Sequence, residues 1–244
     1  MIRSITDTMN VTNQSEVVAI IGGMGPLASA EFVNRIYQYY PYNFSEQKAP
    51  FILHYSDPSM PDRSTCFMKG DAQIIYDRLL TILEDLSKYN VIKYILCCFT
   101  IHHVVPLLSS YYKDRIISLV DVVVENIIKE KGTYLFLSTT GTRKMKIIES
   151  HLEWNRISDQ LCFLTDEDQQ VFHSLIYKHL KLGKNPLLII DELIKLATKY
   201  NVNGIISGCT EIHLLTKNAK KTFYPLKVID PLDIIARNQS FNKK

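Results

Sequence analysis

Residues 89–102 (YNVIKYILCCFTIH) and residues 200–213 (YNVNGIISGCTEIH) are two copies of one pattern, offset by 111 positions from Cys98 to Cys209. The offset pairs Tyr89 with Tyr200, Asn90 with Asn201, Val91 with Val202, Ile95 with Ile206, Ile101 with Ile212 and His102 with His213. Each copy is an apolar run that ends in a cysteine. A repeat this far apart constrains the fold to two related units, each presenting one thiol at the same place.

The rest of the chain divides to match. Val17–Ile21 is a continuous apolar run ending at Gly22-Gly23, the pattern of a parallel strand buried on both faces. Pro26 suits the first turn of a helix in which Phe32, Ile36 and Tyr40 recur at helical spacing, with Pro41 ending it. Phe51–Asp57 reads as a second strand, PSMPDRS as a loop, and Ile74, Ile75, Leu79, Ile82, Leu83 and Leu86 as the apolar face of a helix before a third strand at 91–97. The pattern restarts with a strand at Thr133–Leu137, a turn through STTGTRK into a helix, a weaker strand at Gln160–Leu164, helices opening at Asp166 and Pro186, and a strand at Gly204–Ser207. Strands alternating with helices across short connections give an α/β fold in which each of the two related lobes is a parallel sheet covered by helices. The expected division is 16–116 with 229–244 as the first lobe, 117–228 as the second, a hinge near 115–120, and a polar leader at 1–15.

Composition narrows the partners. A net charge of +3 over 244 residues, without a long basic run, calls for neither a nucleic acid nor a membrane surface. No apolar stretch is long enough to span a bilayer, and the leader lacks the apolar core of a signal peptide, so a cytoplasmic location is expected. In that reducing setting five cysteines (Cys66, Cys97, Cys98, Cys162, Cys209) without a CxxC spacing read as free thiols. Cys66, Cys97 and Cys162 have no counterpart in the repeat and are expected to pack as small hydrophobes, with Cys97 turned away from Cys98 by strand alternation.

Cys98 and Cys209 each fall just past a strand and before a helix, where open α/β sheets bind ligands and where a helix N-terminus can lower a thiol's pKa. Two thiols facing across a cleft can remove and deliver a proton on opposite faces of one carbon, which is the chemistry of a cofactor-independent racemase. His102 and His213, four residues further on, could orient the thiols, hold the next helix or bind substrate; His103 beside His102 is a poor metal pair because adjacent helical residues diverge. The turn Gly22-Gly23-Met24-Gly25-Pro26-Leu27-Ala28 also carries G-x-G-x-x-A between a strand and a helix, with Asp57 as its possible ribose acid. A nicotinamide-dependent oxidoreductase is therefore a rival reading, and a non-catalytic amino-acid-binding protein is another. The same glycines equally allow a small carboxylate to approach the helix N-terminus. Arg63, in the loop beyond the second strand, suits a carboxylate or a surface ion pair, and Lys181 reads as an ordinary helix-end lysine.

The motifs IGGMGPLASAEF, SDPSMPDRS, CFTIH, STTGT, IYKHLKLGK and SGCTEI, in this order from about Val18 to about Ala236, resemble the aspartate/glutamate racemase family, most closely its aspartate racemase branch. The resemblance implies an α/β fold of two pseudo-symmetric lobes with the active site in the cleft between them, and an isomerase that interconverts L- and D-aspartate or glutamate, works without pyridoxal phosphate or metal, and assembles as a homodimer. It implies that Cys98 and Cys209 are the acid/base pair and that Thr100, Thr142 and Thr210, with backbone N–H groups beside the cysteines and in the loop of Met24 and Gly25, hold the α-carboxylate. Arg63 and Lys181 match positions that contact the distal carboxylate of an acidic amino acid. Phe99 stands where the family usually has Asn, removing a donor and adding bulk, and Ile101 adds bulk where a small residue is common. These two positions bear on substrate identity.

Overall fold

The computed structural model describes residues 16–40, 45–218 and 222–239; the leader at 1–15 and the final residues 240–244 lie outside them. The first unit contains β1 (Val17–Gly22), α1 (Pro26–Tyr39), β2 (Phe51–Ser56), α2 (Arg63–Lys69), α3 (Ala72–Leu86), β3 (Val91–Leu96), α4 (Ser110–Lys113) and β4 (Ile116–Ile117). The chain continues through α5 (Leu119–Lys129), β5 (Tyr134–Ser138), α6 (Thr140–Lys144), α7 (Trp154–Ile157), β6 (Leu161–Phe163), α8 (Asp166–Lys178), α9 (Pro186–Lys199), β7 (Gly204–Gly208), β8 (Lys227–Ile229) and α10 (Pro231–Asn238). Two parallel sheets result, with strand orders β2-β1-β3-β4 and β6-β5-β7-β8. The orders superpose strand for strand. The repeat in the sequence is therefore the third strand of each sheet, β3 and β7, with the turn that follows it.

Strand alternation sorts the apolar residues into three cores. Val18 and Ile20 of β1, Ile95 of β3, Tyr134 and Phe136 of β5 and Ile206 of β7 join Phe32 and Ile36 of α1, helix α5 and Leu232 and Ile235 of α10 in one core shared by both sheets. Val17, Ala19 and Ile21 face the other way, onto Ile75, Leu79, Ile82 and Leu83 of α3. Leu135, Leu137 and Ile205 do the same onto α8 and α9. Each central strand is buried on both faces, which is why β1 and β5 read as unbroken apolar runs. The shared middle core ties the lobes together by hydrophobic burial as well as by the chain crossings.

Three elements depart from expectation. The loop PSMPDRS ends in a helix, α2, because Asp62 caps it by accepting from the Thr65 N–H at 2.8 Å and Gly70, at φ +85°, ends it. The expected hinge contains β4, whose two residues pair with Tyr94 and Ile95 and are too few to show a period. The turns after both cysteines are 3-10 rather than α-helical, at Thr100–His103 and Thr210–Asn218. Strand β8 completes the second sheet, and α10 then packs on α1 and α5.

Candidate active site

Because Cys98 and Cys209 follow equivalent central strands, both come to the carboxyl ends of their sheets. They line one small cavity together with Met24, Asp62, Arg63, Ser64, Phe99, Thr100, Thr139, Tyr177, Lys181, Thr210 and Glu211. Its volume, counted as space open to the centre of a water-sized sphere, is about 10 Å³, room for about a single water. The cleft is closed. A larger cavity of about 670 Å³, lined by Val105, Ile116, Val120, Ile147 and His151 among others, contains neither cysteine.

The first-lobe side is built on backbone contacts. His102 is buried and uses both ring nitrogens: Nδ1 lies 3.0 Å from the Cys98 carbonyl, and Nε2 accepts from the Leu119 N–H at 3.1 Å. That acceptor role fixes the tautomer, with the proton on Nδ1 donated to Cys98, and burial pushes the His102 pKa down to about 4. His102 therefore fastens the cysteine turn to the first residue of α5. Of the alternatives its position leaves open, this is the helix-holding one.

Arg63 is 7% exposed, and its guanidinium donates to the carbonyls of Met60 at 3.3 Å, Pro61 at 2.9 Å and Met24. Its Nε has no partner among the described residues. Burial opposes its charge, but the neighbouring Cys98 and then Asp62 and Glu211 raise its pKa above the ordinary value. Most of its fork is thus spent on backbone. Asp62 bridges the lobes: beyond capping α2, its Oδ2 accepts from the Tyr177 hydroxyl at 2.6 Å and lies 3.6 Å from Lys181 Nζ, which also sits 3.6 Å from the centre of the Tyr177 ring. Burial works against the Asp62 charge, yet the bonds from Tyr177 and Thr65 and the Lys181 charge bring its pKa down to about 2.

Hydroxyls close the seam between α2, the Cys98 turn and α6. Thr100 Oγ1 shares hydrogen bonds with Thr142 Oγ1 at 2.7 Å and Thr139 Oγ1 at 3.3 Å, and Ser64 donates to Thr139 at 3.2 Å. Gly141 permits this approach, since a Cβ there would lie 2.5 Å from Ser64 Oγ and 2.6 Å from its Cα. Thr142 meets the cluster without lining the cavity, and Ile101 is fully buried in the outer core of the first lobe. The Phe99 ring stacks edge-on against Phe136, centroids 5.5 Å apart, in the core shared by the sheets. Cys97 faces that same core while Cys98 faces the outer one, and burial raises the Cys97 thiol's pKa.

The second-lobe side departs from what its helix-terminus position suggested. Cys209 Sγ donates to Glu211 Oε2 at 2.9 Å, and burial, followed by the Glu211 charge and this bond, raises the Cys209 pKa well above the ordinary thiol value instead of lowering it. Thr210 donates from Oγ1 to the Cys97 carbonyl at 3.3 Å across the lobes. Glu211 is 3% exposed, and its Oε1 has no hydrogen-bond partner among the described residues. A Cβ on Gly25 would come within 2.6 Å of that oxygen, so the loop glycine lets the carboxylate fit. Sequence reading passed over Glu211, as it did Asp62, Ser64, Thr139 and Tyr177. An acidic residue in the otherwise apolar and hydroxylic SGCTEI turn was the available signal.

His213 takes a different partner from His102, holding Asp230 Oδ2 at 2.7 Å from Nδ1 inside a buried network with Thr216 and Arg35. The dinucleotide reading of the glycine turn has no room here. Gly23, at φ +85°, is pressed against the Asp57 backbone, with a Cβ position 2.3 Å from its atoms, and Gly22 is packed on Ser29. Asp57 is bound to Arg78 at 2.7 Å and to Ser59 instead of standing free for a ribose.

Two matched parallel-sheet lobes, covered by helices and bringing one buried cysteine each to a common cavity, define an α/β class of fold. The Asp/Glu/Hydantoin racemase profile matches residues 21–238, and the chain belongs to that family, whose members are isomerases. Solved structures agree in fold. Picrophilus torridus aspartate racemase is similar at 21% identity and a TM-score of 0.74, with 91% of each chain covered. An aspartate racemase homologue from Pyrococcus horikoshii is similar at 19% identity and 0.68, covering 91% of this chain and 96% of that one. A glutamate racemase isoform from Bacillus anthracis is more distant, at 15% identity and 0.60, covering 93% and 80%. Among the described residues no helix is long and apolar enough to cross a membrane.

Proposed function

We propose that the chain racemises an acidic amino acid, aspartate or glutamate, by a two-base mechanism in which Cys98 and Cys209 act on opposite faces of Cα. The observation that carries this reading is that the two repeat-related thiols, one from each lobe, line the same cavity. One thiolate removes the α-proton while the opposing thiol delivers its own. The α-proton is far less acidic than a thiol, so the barrier falls only if charge on the carboxylate side is met by fixed donors in a dry site. The hydroxyls of Thr100 and Thr210 and the Arg63 Nε–H are such donors, and the closed cleft supplies the dryness.

The cations favour an acidic side chain. Lys181 already holds a carboxylate, that of Asp62, at 3.6 Å, and a substrate carboxylate would take up the same ammonium. Glu211 Oε1, buried and without a partner among the described residues, is the acceptor left for the substrate's α-ammonium, whose retained charge also acidifies Cα. Entry requires the lobes to part, because the closed cavity holds no amino acid.

Incubating the protein with a panel of amino acids in deuterated water tests the proposal. Aspartate or glutamate should lose its α-proton signal and gain the opposite enantiomer, with solvent deuterium at Cα. Cys98→Ala and Cys209→Ala should each lower the rate by about a hundredfold or more, the scale of a lost acid/base group. Full activity in either variant would sink the two-base scheme.

A further inference from the structure

The two oxygens of the Asp62 carboxylate have separate tasks. Oδ1 belongs to the first lobe, where it caps α2 by accepting from the Thr65 N–H and the Thr65 hydroxyl, both at 2.8 Å. Oδ2 reaches across to the second lobe, accepting from the Tyr177 hydroxyl at 2.6 Å and lying 3.6 Å from Lys181 Nζ. The contacts of Oδ1 survive any parting of the lobes. Those of Oδ2 do not.

The crossing contact sits at the edge of the cavity. Arg63, the next residue, is 7% exposed, whereas the side chains of Asp62 and Lys181 keep 31% and 20% of their surface open. A solute that approaches from outside can therefore reach the ion pair. Lys181 also lies 3.6 Å from the centre of the Tyr177 ring, which fixes the ammonium from a second side. With Asp62 in place, the cavity has room for about a single water.

We infer that Asp62 is an internal substitute for the side-chain carboxylate of the substrate: in the empty site it occupies Lys181 and ties the lobes shut, and an acidic amino acid binds by displacing it. This rests on the reading of an acidic substrate above and deepens it. Exchanging one carboxylate for another at the same ammonium keeps the number of ion pairs constant, so opening needs no net loss of charge pairing. The reverse exchange expels the product. Affinity is then lower than Lys181 alone would give, because the binding-competent form is only part of the population. Asp62 touches no reacting atom and acts through Lys181, as a positioning residue.

Asp62→Asn separates the two tasks. The amide oxygen can still cap α2, while the NH₂ group that replaces Oδ2 cannot pair with an ammonium. Calorimetric titration uses succinate, a dicarboxylate without an α-ammonium, and L-aspartate. The variant should bind both about fivefold more tightly than the wild-type protein, the scale of a partly exposed ion pair. Asp62→Ser, which also caps, should do the same, and Asp62→Glu, which keeps the charge, should not. In steady-state turnover of aspartate, KM should fall in Asp62→Asn by a similar factor with kcat no higher, since product leaves without its competitor.

Unchanged or weaker binding in Asp62→Asn would overturn the inference. Equal tightening by Glu and Asn would do so too, marking a packing effect, as would failure of both probes to bind either the wild-type protein or the variant. Should one of the neutral variants fail to fold by circular dichroism, the other decides. Tighter binding in Asp62→Asn, with no α-proton exchange in the wild-type protein, would remove the racemase reading and leave the substitute carboxylate standing. Exchange with unchanged affinity would do the reverse.

Discussion

The Cys98 turn and the Cys209 turn begin from the same sequence pattern and end in different chemistry. In the first, His102 spends both nitrogens on backbone and stays neutral, Phe99 fills the shared core, and the thiol lines the same cavity as Arg63. In the second, His213 holds a buried carboxylate, Thr210 reaches across to the other lobe, and the thiol faces Glu211. A repeat thus copies backbone position faithfully, while the partners each side chain meets come from elsewhere in the chain. Symmetry of place is not symmetry of charge.

The largest effect that separates the turns is expected at Phe99. Phe99→Asn should cost about 4 kcal/mol in urea unfolding, because the space left against Phe136 is not refilled and an amide is buried among apolar groups. A cost below about 1 kcal/mol would mean that the ring adds little to the lobe junction. On the other side, Asp230→Asn should cost about 3 kcal/mol, since it leaves Arg35 short of a buried counter-charge and disturbs the hydrogen bonds of His213 and Thr216. The same denaturation measurement checks it, and a neutral result would show that Asp233 and Glu31 suffice for Arg35.

His102 gives the first turn a titratable mark. Burial lowers the His102 pKa to about 4, below its unfolded value near 6.5, so the unfolded chain binds its proton first as the pH falls. The stability from neutral His102 is complete above about pH 6.5 and is lost progressively down to about pH 4, at most about 3 kcal/mol. His102→Gln should flatten that slope in stability measured against pH, and an unchanged slope would remove His102 as its source. Asp62 contributes in a lower window, full above about pH 4 and lost as the pH falls towards its folded value of about 2. The smallest effect is expected at Thr142→Val, about 1 kcal/mol by thermal unfolding, because it removes one hydroxyl from a cluster in which Thr100 and Thr139 still bond each other.

How much could be read in advance follows the range of the interactions. The strands at 17–22, 134–138 and 204–208 are buried on both faces and the one at 91–96 is mostly so, which is why they stand out by their apolar content. The helices at 72–86 and 186–199 carry one apolar face and show their period. Strand β4 has two residues and α2 depends on a cap at Asp62, so neither leaves a periodic trace. At the site, Cys98 and Cys209 were marked by the repeat. Glu211 and Tyr177 carry no such mark, since each gains meaning only from the atom it meets, Cys209 Sγ in one case and Asp62 in the other.

The amino-acid order by itself determined that there are two lobes, that each follows its third strand with a cysteine, and that both thiols lie at the carboxyl ends of their sheets. Those features depend on periodicity and chain direction, which are local. Tertiary structure alone decided that the glycine turn packs against Asp57 and Glu211, that Arg63 spends most of its fork on backbone carbonyls, and that a carboxylate accepts from the Cys209 thiol. The reason is physical: electrostatic and steric partners are set by distance in space, and the residues concerned are brought together only when the two sheets close on their common core.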